Sequence, residues 1–289
     1  MKKVLVFGDT ILDQIIEGSV ERISPEAPIP VMDFRSSLLS LGGAANVAAN
    51  IKSLLKEGVA QVHYHGWVSP VISSLLTDKE IPVKEVNCDD GEMLLKTRYV
   101  SNKHQILRVD TNKQYNRDLK TDWSFLKDYD LIVLSDYSKG TIVSEIKEII
   151  SKSSCKILID FKNDKLFPYL RNLSNKDYER IFLKSNEKES QILQENEDML
   201  FMAIITTRGG EGYVVQNTEY PQKYKQSVSD VVGAGDTFLA GMAVNYLETG
   251  VWNEYSMAAF GNLCAVEKVR HFGTVAVKRS DVEKLNEIS

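Results

Sequence analysis

Between Asp230 and Phe238 the chain reads Asp-Val-Val-Gly-Ala-Gly-Asp-Thr-Phe. Gly233 and Gly235 flank Ala234, and a carboxylate, Asp236, follows at once. A small-residue loop at a helix start presents backbone N–H groups and the positive end of the helix dipole, a setting that suits a phosphoryl group. A carboxylate in the first turn could take the proton of a hydroxyl that attacks the phosphorus. The same residues also suit a tight turn with Asp236 as a simple helix cap. The motif alone leaves the two readings equally open.

Other residues have types and spacings that could join such chemistry. Gly42-Gly43-Ala44-Ala45-Asn46 is a second glycine-led helix start, at which a ligand could approach the backbone and Asn46 could donate or accept. Taken alone, a glycine-rich cap explains it better. Asp13 follows Asp9 by four residues and could accept from sugar hydroxyls, or be a solvated turn acid. Lys96 and Arg98, two apart on an extended segment, put two cations on one face. They suit a substrate that already carries a phosphate, and equally an edge that deters aggregation. Asn186 and Glu189 could face a hydrated Mg²⁺, although a capping pair is the better reading without context. Asp136-Tyr137-Ser138-Lys139-Gly140 and Asp160-Phe161-Lys162 each follow an apolar strand. His63, His65, His104 and His271 lack metal spacing and receive no role. No G-x-G-x-x-G follows the first strand and no G-K-[ST] occurs, so neither a dinucleotide fingerprint nor a Walker loop is present.

The elements that must position these groups read as α/β. Val4–Phe7 is a short apolar run ending in Gly-Asp, as in a strand buried on both faces, and ligands of open α/β sheets gather at such strand ends. Residues 11–35 break the pattern with strand-like pieces around Pro25, Pro28 and Pro30. A helix is expected from Leu41 to about Leu55, a strand at Val59–His65 and a helix at Ser69–Thr77. Residues 83–109 are extended again, with a hairpin at Ser101-Asn102-Lys103-His104. Together with 11–35 they suggest a small separate sheet, such as a lid. Strands are then expected at Leu131–Leu134, Lys156–Ile159, Arg180–Leu183, Met202–Thr206, Tyr213–Gln216 and Lys223–Ser227. Helices lie between the earlier of these, and two more, from Asp236 and from about Asn253, close the fold. This alternation implies a mainly parallel sheet with helices on both faces. Residues 184–198 are highly charged and read as a solvated helix face.

A chain of 289 residues can bury one large α/β core, and 43% hydrophobic with 26% charged residues is ordinary for a globular protein. A net charge of −5 without a dense Lys/Arg block argues against a nucleic-acid surface. Cys88, Cys155 and Cys264 are scattered and odd in number, which suggests buried thiols in a reducing compartment. No apolar run is long enough to cross a bilayer, so a cytoplasmic protein with no membrane partner is expected.

Gly42-Gly43…Asn46, Asn186-x-x-Glu189 and Gly233-Ala234-Gly235-Asp236, in this order, resemble the ribokinase/phosphofructokinase-B family of sugar kinases over the whole chain. Gly8-Asp9-x-x-x-Asp13, Arg22 to Val31, Ser135-Asp136-Tyr137-x-Lys139-Gly140 and Gly273-Thr274-Val275 are similar to its heptose 7-phosphate kinase branch, which is often the N-terminal half of a bifunctional synthase. The resemblance implies a ribokinase-like three-layer sandwich with a small β-sheet lid. It implies phosphorylation of heptose 7-phosphate at C1 by ATP, within nucleotide-activated heptose synthesis. Another sugar phosphate remains open as the substrate. It further implies Asp236 as catalytic base, the amides of Gly233, Ala234 and Gly235 as an anion hole, and Asp13, Gly42, Gly43 and Asn46 at the sugar. Lys96, Arg98, Lys139 and Lys162 are candidate phosphate contacts.

By the same resemblance Asn186 and Glu189 would position Mg²⁺ through water, and Lys162, Thr207, Gly209, Gly212 and Asn262 would belong to the nucleotide site. Asp230 would help bind a monovalent cation such as K⁺. The lid often pairs with a second subunit, so a homodimer is expected. Val232, Phe161 and Lys184-Ser185 depart from the usual residues of the branch. The expectation is a single kinase domain over 1–289 without an attached nucleotidyltransferase domain.

Overall fold

The computed structural model describes residues 1–84, 93–111, 121–171, 173–196, 199, 202–224 and 227–287. Inside its large sheet Lys2–Gly8 pairs in parallel with Ala60–His65 on one side and Leu131–Ser135 on the other. A strand flanked at both edges and covered on both faces must be apolar throughout, which is why Val4–Phe7 shows no alternation. Val4 and Val6 enter one core while Leu5 and Phe7 enter the other.

Among the described residues this sheet has nine strands. From one edge they run Thr218–Pro221, Gly212–Val215, Ala203–Thr207, Ile181–Asn186, Lys156–Asp160, Leu131–Ser135, Lys2–Gly8, Ala60–His65 and Val83–Lys84. All neighbours are parallel except those that involve the first two, which form an antiparallel edge. The helices Ala44–Leu54 and Ala234–Thr249 cover one face and pack on each other, and Ile146–Lys152 lies on the opposite face. The result is the three-layer α/β architecture. Parallel register brings the strand carboxyl ends to one edge, with Gly8 beside Ser135, Ser135 beside Asp160, and Asn186 beside Thr207. Ligands of such sheets bind at this edge.

A second sheet holds four strands, in the order Pro30–Gly43, Thr10–Ile23, Leu94–Ser101 and His104–Asp110. Its last hairpin turns at Asn102 and Lys103, both with positive φ (50° and 66°), as a two-residue turn between twisted strands requires.

The structure corrects several boundaries. The early excursion does not stop at Arg35: its second strand continues to Gly43 and runs straight into the Ala44–Leu54 helix. Val83–Lys84 joins the edge of the large sheet beside Tyr64–His65, not the small one; residues 85–92, with Cys88, lie outside the described residues. The expected strand at Lys223–Ser227 is instead Thr218–Pro221. Gln216, at φ 52°, turns the chain back immediately, so the nearest residues pair; 225–226 lie outside the described residues. A third closing helix, Arg279–Glu287, follows the two expected ones. Residues 184–198 are not uniformly solvated, because Lys184 and Glu189 are only 3% exposed.

Candidate active site

The helix Ala234–Thr249 starts at Gly233, whose φ of 79° and ψ of 2° place it in the left-handed region. A side chain there would be strained, so the glycine follows from the backbone. No side chain caps this helix. Ala234 donates its N–H to the Val231 carbonyl at 3.1 Å, so one of the three amides expected to face an anion already has an intramolecular partner.

Asp236 is buried. Its Oδ2 accepts from Asn46 Nδ2 at 2.8 Å, and its Oδ1 accepts a very short hydrogen bond from the Tyr137 hydroxyl. Burial pushes the carboxyl pKa up, against the pull of these two hydrogen bonds. Asn46 is aimed by its own helix: Asn50 Nδ2 donates to Asn46 Oδ1 at 3.0 Å, which leaves the Asn46 amide nitrogen for Asp236. The helix-cap reading of Asp236 fails on this geometry, because its carboxylate is turned to another helix and to a loop after a strand.

Beside Asp236 opens a cavity of about 930 Å³. Gly233, Ala234, Gly235, Asp236, Lys162, Asn186, Thr207, Gly209, Gly212 and Asn262 all line it. Glu189 is not among its lining residues. It lies below, in a capping box in which Asn186 Oδ1 accepts from Glu189 N at 3.0 Å and Glu189 Oε2 accepts from Asn186 N at 2.7 Å. Glu189 Oε1 also accepts from Lys162 Nζ at 2.8 Å. Burial lowers the Lys162 pKa, but Asp160 and Glu189 more than reverse this and raise it overall.

The residues expected at the sugar form a neighbouring group outside the cavity lining. Asp13 and Arg98 make a buried ion pair at 2.6 Å. Arg98 is thus the counter-ion of Asp13 and not an exposed edge cation. A Cβ on Gly42 would collide with the Asp13 carboxylate, and one on Gly43 with the Asp9 carbonyl. Lys96 lies 5.3 Å from the centre of the Tyr137 ring, and Lys162 lies 5.2 Å from it. Tyr137 and Asn46 therefore link this group to the cavity through Asp236.

The sequence profile of the pfkB family of carbohydrate kinases matches residues 1–280. The chain belongs to that family. Bifunctional protein HldE of Nitratiruptor sp. is 30% identical over 312 residues, covering 98% of this chain and 64% of that protein. Bifunctional protein HldE of Haemophilus influenzae is 31% identical over 304 residues, covering 97% and 63%. The chain spans a little under two thirds of the length of these curated relatives. Ribokinase from Thermotoga maritima matches the fold with a TM-score of 0.73 at 16% identity, covering 99% of this chain and all of that one (100%). Phosphofructokinase-2 from Escherichia coli, in a complex with potassium, does so at 0.71 and 17%, covering 99% and 98%. At such identities these structures speak for the fold alone.

The chain is thus a carbohydrate kinase, a class that works on ATP and a sugar. No helix among the described residues is long and apolar enough to cross a membrane. Within this kinase three residues stand at the site that the sequence reading did not single out. Tyr137 lies in a quoted motif, but nothing in its spacing pointed its hydroxyl at Asp236. Lys184 entered only as a departure from the usual pattern. It is buried, pairs with Asp160 at 3.0 Å, and its Nζ lies 3.1 Å from where a Gly235 Cβ would be. Its place on a strand directly opposite Asp160 could have signalled the pair. Lys268 is wholly buried behind Gly233. Burial lowers its pKa, with Asp230 and Asp236 opposing. Val232 supports the loop through its backbone, donating its N–H to Asp230 Oδ1 at 3.0 Å, so the departure in its side chain leaves this contact untouched.

Proposed function

We propose that the chain is a single kinase domain that transfers the γ-phosphoryl group of ATP to the anomeric hydroxyl of D-glycero-D-manno-heptose 7-phosphate, giving heptose 1,7-bisphosphate for nucleotide-activated heptose synthesis in the cytoplasm. The observation that carries this reading is the position of Asp236, a buried carboxylate between a 930 Å³ cavity and the Asp13–Arg98 group. The 97–98% span shared with the HldE proteins and the resemblance to heptose 7-phosphate kinases support the choice of sugar.

In this mechanism the sugar hydroxyl replaces Tyr137 or Asn46 at the Asp236 carboxylate. A bond forms between the sugar O1 and the γ-phosphorus, while the bond from that phosphorus to the β,γ-bridging oxygen breaks and leaves ADP. Asp236 takes the hydroxyl proton, and its raised pKa brings it closer to a useful working range. Lys184, poised at Gly235, would balance charge on the transferring group, and Lys162 would do so beside it. Asn186 and Asp160 line the cavity, and the buried Asp160 Oδ1 has no hydrogen-bond partner and only a 3.8 Å ion pair with Lys162, so Mg²⁺ fits here, with Asn186 and, behind it, Glu189 holding it through water; the ion would supply charge neutralisation for the phosphates. Asp13, fixed by Arg98 and given room by Gly42, would accept from sugar hydroxyls, with Lys96 toward the substrate phosphate. The small sheet carries exposed Phe34, Leu38 and Leu107, apolar area that supports pairing with a second copy.

The test is mass detection of product from ATP and a panel of sugar phosphates. A bisphosphorylated heptose from heptose 7-phosphate is expected. A clear preference for a hexose phosphate would reject the assigned sugar.

A further inference from the structure

Lys268 ends the helix Glu254–Lys268 and is 0% exposed. A wholly buried lysine needs a reason, since its ammonium must recover in hydrogen bonds what it loses in hydration. Here Nζ donates to the carbonyl of His271 at 3.0 Å and to that of Asp230 at 3.3 Å. These two carbonyls belong to the two loops that flank Gly233, and the lysine stem passes 3.7 Å from where a Gly233 Cβ would be.

The same two loops are also joined through Asp230. Its Oδ1 accepts from Val232 N at 3.0 Å and its Oδ2 from Gly273 N at 2.9 Å. Ser229 N and Asp230 N both donate to the Val269 carbonyl, at 2.7 and 3.2 Å. A monovalent cation at Asp230 would require several oxygens converging on one open point. In this chain each Asp230 carboxylate oxygen already accepts from the backbone, and two carbonyls that converge beside it do so on an ammonium. The residues present therefore do not fit a bound alkali cation.

We propose that Lys268 is a built-in substitute for that cation. Its ammonium carries the same single positive charge in nearly the same volume as potassium, and it holds the 230–233 and 269–274 loops together from inside. The helix start at Gly233 is thereby set without an ion from solution. Because the tether is covalent, occupancy does not depend on salt, whereas a dissociable ion stabilises as RT ln(1 + c/Kd), which vanishes once its concentration c falls well below its Kd.

The experiment compares KCl with choline chloride at equal ionic strength, reading thermal unfolding and ATP affinity, neither of which depends on the identity of the sugar. For the unaltered protein both readouts are expected to match in the two salts, with the Kd for ATP changing less than about twofold. In Lys268→Ala, which empties the position, the Kd for ATP is expected to rise about tenfold in choline, as two carbonyls lose their donor, and to return in KCl or NH₄Cl together with the melting temperature. A saturable rise in stability or ATP affinity with potassium in the unaltered protein would overturn the proposal. So would a folded Lys268→Ala protein that behaves alike in choline and KCl. If the variant does not fold, the salt comparison on the unaltered protein decides by itself. If ATP fails to bind under any condition, the nucleotide-site reading falls, and the unfolding arm still judges Lys268.

Discussion

Two helices of this kinase begin on glycine, at Gly43 and at Gly233, and neither has a side-chain cap. Both glycines have positive φ, 58° and 79°. The surroundings differ. At the first start Ala44 N donates to the Asp9 carbonyl at 3.0 Å, and a Cβ on Gly43 would strike that same carbonyl. At the second, Ala234 N donates to the Val231 carbonyl and a Cβ on Gly233 would meet the Asn46 amide at 3.0 Å, but one on Gly235 would meet only the end of the Lys184 side chain, 3.1 Å away, with the cavity in front. The first glycine loop packs wholly on the chain, while the second does so at Gly233 and leaves Gly235 facing the cavity. Similar local sequence thus serves opposite purposes, and what lies opposite the loop decides which.

The sharpest way to break this contrast is Asp236→Asn. As the proposed base at the open start, its loss should lower kcat by roughly 10²–10⁴-fold, with ATP binding retained in calorimetry. A buried aspartate with a raised pKa contributes stability that is fully present below its unfolded pKa and is lost as pH rises through its folded pKa. Above its folded pKa the ionised group is a cost, and there the asparagine variant should melt no lower than the parent. The parent's kcat should fall toward acid as Asp236 takes up a proton, starting above the ordinary aspartate range. Normal turnover in the variant would remove chemistry from the open start.

Lys184→Met asks whether the cation in front of Gly235 works on the reaction or only on the fold. Breaking the buried pair with Asp160 should destabilise by about 3–5 kcal/mol, and kcat/KM should fall by about 10²–10³-fold. Adding Asp160→Asn should recover the denaturation midpoint but not the rate. Recovery of both would reduce Lys184 to a structural partner.

The smallest effects compare the glycines directly. Gly43→Ala should lower stability by roughly 1–3 kcal/mol through backbone strain and the Asp9 collision. Gly235→Ala should leave stability within about 1 kcal/mol, because a helical alanine offsets the crowding, yet reduce kcat/KM by about tenfold. Equal losses of stability in the two would erase the distinction between closed and open starts.

The alternation of apolar strands and helices foretold the parallel sheet, because a strand buried on both faces and an amphipathic helix each leave a local period in the chain. The same cannot be said of the strand to Gly43. Ser36-Ser37-Leu38-Leu39-Ser40 shows no clean alternation because most of it is exposed and little selects a period there. The placement at Thr218–Pro221 was likewise hidden, since the turn Gln216-Asn217 puts its asparagine second and gives the positive φ to a glutamine. In the site, Asn186 and Glu189 were legible as a cap from their spacing alone, and the structure displays that cap.

By itself the sequence determined what depends on neighbours along the chain: strand and helix periods, the glycine demanded by positive φ at Gly233, and the Asn186–Glu189 box. Only the tertiary structure decided which distant groups meet. Asp13 finds Arg98 across 85 positions, Asp236 finds Tyr137 across 99 and Asn46 across 190, and Lys268 turns inward to Asp230 across 38. Such pairs exist because parallel register gathers the strand ends at one edge and two glycine-led helices pack there. Burial then selects, from many charged residues of similar local appearance, the few that must be paired.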